Sequence, residues 1–177
     1  MKRSKTLKMT LCALFAALTA VLSQIVIPIG PVPINLATFA VFLAGALLGS
    51  KLGALSLITW AALGVAGVPV FTMMRSGPGT LLGPTGGFIF GYIAAAYLIG
   101  LVVEKTNRRN SVYIYAAAMF AGALCYFAPG VLWFMVSTGT GLFETLTICV
   151  FPFIPGDLMK IILAATLAKR LRPFVNR

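Results

Sequence analysis

Histidine is absent from this 177-residue chain, and acidic residues number only three. The lack of His excludes a Cys/His zinc site. With Glu104, Glu144 and Asp157 far apart in sequence, no nucleophile–base or metal constellation can be assembled, so the chain does not read as an enzyme. Charge is scarce as well: charged residues make up 10%, against roughly 25% in soluble proteins. That leaves no room for a soluble domain. Cysteine is sparse, and Cys12, Cys125 and Cys149 sit in apolar context at no metal-like spacing, which suits small buried hydrophobes. Nucleotide motifs are missing too. Gly45 to Lys51 is one residue short of a P-loop and has Ser before its Lys, and Gly77-Pro78-Gly79 fails the dinucleotide spacing because Gly83 comes one residue late. Any ATP-driven work would need another subunit.

What remains is 60% hydrophobic and runs the length of the chain. The expectation is an all-α integral membrane protein, six transmembrane helices in one bundle, forming a single domain over residues 1–177. The apolar runs place spans at about 9–27, 34–48, 52–66, 85–103, 111–136 and 155–171. The charged start followed by an apolar run has the outline of a signal peptide, but the run is long enough to span and further spans follow. Three prolines in Pro28-Ile29-Gly30-Pro31-Val32-Pro33 make a tight extended loop. Gly67 to Pro84 reads as a long Gly/Pro-rich break, and 137–149 as a short connection.

A net charge of +11 would suggest nucleic acid on a soluble protein. Here the positive-inside rule explains it, and nucleic acid is not an expected partner; the bilayer is. Lys2, Arg3, Lys5, Lys8, Lys51, Lys105, Arg108, Arg109, Lys169, Arg170, Arg172 and Arg177 all fall at ends that six spans put on one side. Both termini are therefore expected in the cytoplasm of a multi-pass cell-membrane protein. Arg75, Asp157 and Lys160 are left on the outer half.

Those three residues are the candidate site. Pro155 suits a first helical turn, where its missing N–H would be unpaired anyway. Asp157 then falls in the first turn of the last span, with Lys160 three residues on and on the same face. Asp157 could be a helix cap, and Lys160 its partner or a snorkelling cation; the sharper reading is a polar floor for a small solute with a carboxylate. Thr85, Gly86 and Gly87 open span 4, where glycines permit close approach of a ligand or of a neighbouring helix. Trp60, Phe71, Phe88, Tyr92, Tyr126, Phe127 and Trp133 can supply aromatic wall. In span 1 the pairs Ala13/Ala17 and Ala16/Ala20 are small-xxx-small faces, open either to packing within the bundle or to docking of another membrane subunit.

Four segments stand in register: Pro31-Val32-Pro33; Gly67-Val68-Pro69-Val70-Phe71; Leu82-Gly83-Pro84-Thr85-Gly86-Gly87-Phe88; and Pro152-Phe153-Ile154-Pro155-Gly156-Asp157-Leu158-Met159-Lys160. Together they resemble BioY, the biotin-binding S component of energy-coupling factor transporters, over essentially the whole chain. The resemblance implies a six-helix bundle that captures biotin from outside and works with a transmembrane coupling subunit and two cytoplasmic ATPases. It implies that ATP acts only through those partners and that this chain holds no cofactor. It makes Asp157 and Lys160 biotin contacts and places Thr85, Gly86 and Gly87 on the cavity, with Tyr92 and Trp133 among the aromatic candidates. It gives Ala13, Ala16, Ala17 and Ala20 the docking role. The chain departs from the family pattern at Asn35 and Ala37, where Thr and Gln are frequent, and at Met73 and Met74 in a stretch that is usually richer in glycine. Asn35 and Arg75 are the remaining candidates for polar contact with the ligand. The other readings are an S component for a different small vitamin, a solitary biotin transporter, an intramembrane enzyme and a structural scaffold.

Overall fold

A computed structural model describes residues 4–28, 32–106 and 111–175. The Ile29-Gly30-Pro31 part of the proline loop and the cations Lys2, Arg3, Arg108, Arg109 and Arg177 lie outside the described residues.

The first helix, α1, covers Lys5–Leu22. It starts ahead of the expected Met9 because the Ser4 hydroxyl caps it, accepting from the Leu7 N–H at 3.2 Å. Its inward stripe is Cys12, Phe15, Ala16 and Thr19, at helical spacing. It also ends early. Strand β1, Val26–Ile27, pairs antiparallel with β2, Ile34–Asn35, which closes the proline loop into a ribbon.

Helix α2, Ala37–Leu48, is buried on nearly every side and is the core of the molecule. An apolar helix of 12 residues covers about 18 Å, well short of a bilayer's hydrocarbon thickness. Helix α3, Ser50–Val65, follows after Gly49, whose φ of 88° suits glycine.

The expected long break holds structure of its own: a 3-10 turn at Thr72–Met74 and a short helix α4, Pro78–Leu82. Helix α5 is Gly86–Lys105 and α6 is Val112–Thr138. These two interlock through glycines. A side chain at Gly91 would meet the Tyr126 backbone at 2.8 Å, and one at Gly130 would strike the Phe88 ring. The expected connection at 137–149 contains α7, Leu142–Cys149, before α8, Phe153–Val175. Eight α-helices among the described residues therefore stand where six were expected. The extra ones are too short to show helical periodicity among Gly, Pro and Thr.

Among the described residues the protein is all-α apart from the ribbon, and its apolar helices mark a multi-pass membrane protein. By length and composition α1, α5 and α6 can each cross a membrane, and α7 with α8, bent by 48°, passes the same test as a pair. The bundle has two ends. At one, Ser50 at the start of α3 meets Glu104 at the end of α5, and Arg172 near the end of α8 donates to Tyr115 at the start of α6. At the other end, Ser23 after α1 reaches Val70 after α3, and Lys160 of α8 reaches Asn35 before α2.

Candidate functional site

At that second end lies a cavity of about 360 Å³, within the roughly 300–1,000 Å³ of ordinary small-molecule sites. The loop before α2, the turn after α3, and parts of α5, α6 and α8 enclose it. An adjoining cleft of about 320 Å³ shares Arg75, Thr80 and Thr85 with it.

Its floor is a buried polar cluster. The Lys160 ammonium donates to the Asp157 carboxylate at 2.9 Å, to the Asn35 carbonyl at 2.7 Å and to the Thr38 hydroxyl at 3.0 Å. An ammonium has three protons, and all three are placed. Asp157 accepts further bonds from Thr38, at 3.3 Å, and from the Tyr126 hydroxyl. Lys160 fronts the cavity at 6% exposure, whereas Asp157, 3% exposed, sits behind it. The i, i+3 spacing expected on one helix face is realised as an ion pair. Asp157 is not in the first turn, however. The helix starts at Phe153 rather than Pro155, so the carboxylate lies in the second turn, holding Lys160 and Tyr126 rather than capping free N–H groups.

The walls are mainly aromatic. Trp60 and Phe71 meet edge to face at 5.2 Å between ring centroids, and Tyr92 and Tyr126 at 5.4 Å. Beside these stand three polar groups with no bond among the described residues: the hydroxyls of Thr85 and Tyr92 and the guanidinium of Arg75. Asn35 lines the cavity and joins its parts. Its side-chain oxygen caps α2 at the Ala37 N–H, and its amide donates to Thr72 at 2.7 Å.

The structure brings Lys160, Asn35, Arg75, Thr85 and Tyr92 to one space, with Asp157 directly beneath. It keeps four of the sequence candidates away from the wall, among them Phe127, whose ring packs against those of Phe88 and Tyr126. Gly86 is packed against Leu81, and Gly87 against Trp133 and the Pro129 carbonyl, so both serve helix packing. Trp133 points its indole N–H at the Gly83 carbonyl, 3.0 Å away, fastening the start of α5 to α6. The sequence reading missed the hydroxyls of Thr38 and Tyr126 as partners of the charges. Their partners lie 119 and 31 residues away, so no local signal marks them.

With this geometry in place, the comparisons are specific. The sequence pattern of the BioY family matches residues 1–177. This chain belongs to the BioY family. A biotin transporter BioY from Thermotoga maritima is 40% identical over 161 residues, covering 90% of this chain and 92% of its own. One from Rhodobacter capsulatus is 38% identical, covering 93% of each chain. Among solved structures, a 2.1 Å crystal structure of the S-component for biotin from an ECF-type ABC transporter superposes with a TM-score of 0.86 at 29% identity. That match covers 97% of this chain and 95% of the other. The relatives are transporters by name, and the fold of this BioY chain is that of a transport component.

Proposed function

We propose that this chain captures biotin as the substrate-specificity subunit of an energy-coupling factor importer. The observation behind this reading is the pairing of an aromatic cavity of about 360 Å³ with a buried Lys–Asp floor, in a chain of a family whose named members are biotin transporters. Biotin matches such a space chemically. Its bicyclic ring and chain are apolar, its ureido group offers two N–H donors and a carbonyl, and its tail is a carboxylate.

Lys160, Asn35, Arg75, Thr85 and Tyr92 are the proposed contacts. The Lys160 protons are already placed, so a ligand oxygen takes over the position of Thr38 or of the Asn35 carbonyl on that ammonium. A ureido N–H reaches Asp157 directly only if Lys160 or its neighbours move aside, because the carboxylate is buried behind the cavity wall. Otherwise Asp157 acts by holding the Lys160 ammonium in place at 2.9 Å. Gly86, Gly87 and Trp133 contribute by fixing the start of α5.

In this reading α1, α2, α3, α5, α6 and α8 are the six crossings, with the cation-bearing end and both termini in the cytoplasm. The short α2 is completed by the cavity-lining segment before it, since non-helical backbone is tolerated at membrane depth where it lines a cavity. Biotin loads from outside. The exposed Ala13/Ala17 face of α1 docks the coupling subunit, while Ala16, 2% exposed, and the half-buried Ala20 pack inward. Two ATPases supply the energy from the cytoplasmic side.

Equilibrium titration of the detergent-purified chain with labelled biotin tests the proposal. Saturable one-site binding below micromolar supports it; its absence rejects it.

A further inference from the structure

Gln24 follows the last turn of α1 and is half-buried. Its carboxamide grips the turn after α3 at two points. The Nε2 group donates to the Phe71 carbonyl at 3.0 Å, and Oε1 accepts the Met74 N–H at 2.9 Å. Exchanging the oxygen and nitrogen would set donor against donor and acceptor against acceptor, so the partners fix the orientation.

Between these two points lies an unusual stretch of backbone. Met73 has φ 61° and ψ 38°, and Met74 has φ 57°. Left-handed backbone is disfavoured for residues with a Cβ, and two in succession persist only where the surroundings hold them. Other bonds hold the flanks of this stretch, among them the Asn35 amide on the Thr72 hydroxyl at 2.7 Å. Ser23 and Trp60 both fasten the Val70 carbonyl, at 2.6 and 3.1 Å, which anchors the approach to the turn. The Phe71 N–H closes the loop onto the Arg75 carbonyl at 3.1 Å. Gln24 is the side chain that spans the left-handed pair. Thr72, Met73 and Arg75 from this turn line the cavity.

We infer that Gln24 is a positioning residue: its amide holds Met73 and Met74 left-handed, which keeps Thr72 and Arg75 at the cavity wall and slows release of the bound ligand. Loss of the amide removes both bonds to the turn, together with those its Nε2 group makes to the Ala20 carbonyl and the Ser23 hydroxyl, and frees the turn to adopt ordinary backbone angles. The inference rests on the biotin reading only for its second readout.

The test uses the full chain in detergent. Hydrogen exchange of the peptide spanning Phe71–Arg75 is compared, without ligand, between the native protein and Gln24→Ala. Gln24→Glu serves as a second variant of matched size that keeps an acceptor for Met74 but opposes the Phe71 carbonyl. Both variants should exchange faster there while α5 and α6 stay protected. Labelled biotin should leave Gln24→Ala about tenfold faster, the value of two modest hydrogen bonds to the turn, and Gln24→Glu about threefold faster. Adding Met74→Gly, at a position off the cavity wall, to Gln24→Ala should bring release part of the way back towards native, because glycine accepts the left-handed region. Unchanged exchange at this peptide in both Gln24 variants overturns the inference, and so does release at the native rate in a variant whose turn exchanges faster. If the native chain binds no biotin, the proposed function fails, and the exchange comparison still decides the role of Gln24.

Discussion

Lys160 and Asp157 are opposite charges buried beside each other in an apolar bundle, and breaking such a pair differs from replacing it. Lys160→Met strands a carboxylate against Thr38 and Tyr126. Thermal unfolding should show a loss of about 3–5 kcal/mol, the usual consequence of leaving one buried charge alone. The double variant Asp157→Asn/Lys160→Met removes both charges and should recover most of that stability while its biotin affinity stays at least about tenfold down. Recovery of both together would mean the pair is only structural. Tyr126→Phe deletes one bond to the carboxylate and should cost about 1.5–3 kcal/mol, as hydrogen bonds to charged groups do, measured the same way. The Asp–Lys pair was legible in the sequence because three residues on a helix share a face. Its other partners were not, because they come from α2 and α6, and only the assembled bundle sets them beside α8.

Helices were legible where they are long and apolar, and their limits were not. Local chemistry sets the limits: the Ser4 cap moved the start of α1 back to Lys5, and the β-branched Val26 and Ile27 left the helix for a ribbon. Glycines were legible as close-approach residues but not by partner. Gly86 and Gly87 read equally well as ligand-facing or helix-facing, and they proved to face helices. Two predictions belong here. Gly91→Val would press a branched side chain onto the Tyr126 backbone, 2.8 Å from its first carbon, and so should both destabilise the protein and weaken biotin binding by moving Tyr126. Glu104 accepts the Ser50 N–H at 2.9 Å and its hydroxyl at 2.7 Å at the far end of the bundle. Glu104→Ala should therefore lower the melting temperature by the equivalent of about 1 kcal/mol, as lost caps do, with biotin affinity unchanged.

In the whole molecule, the cavity with its polar floor lies at one end, and a separate face of α1 is left exposed. Ala13 and Ala17 lie exposed on the outside of α1 while Cys12, Phe15, Ala16 and Thr19 face the core. Ala17→Leu should leave biotin binding intact yet abolish co-purification with the coupling subunit, whereas Ala16→Leu should overpack the core and lower stability by about 1–3 kcal/mol. The claim on which the rest stands is that biotin occupies the cavity above the Lys160–Asp157 floor. A structure of the biotin-saturated protein tests it most directly. The account predicts bicyclic density in that cavity with a polar ligand atom about 3 Å from the Lys160 ammonium. An empty cavity with the polar cluster unchanged, or biotin bound elsewhere on the bundle, would contradict it.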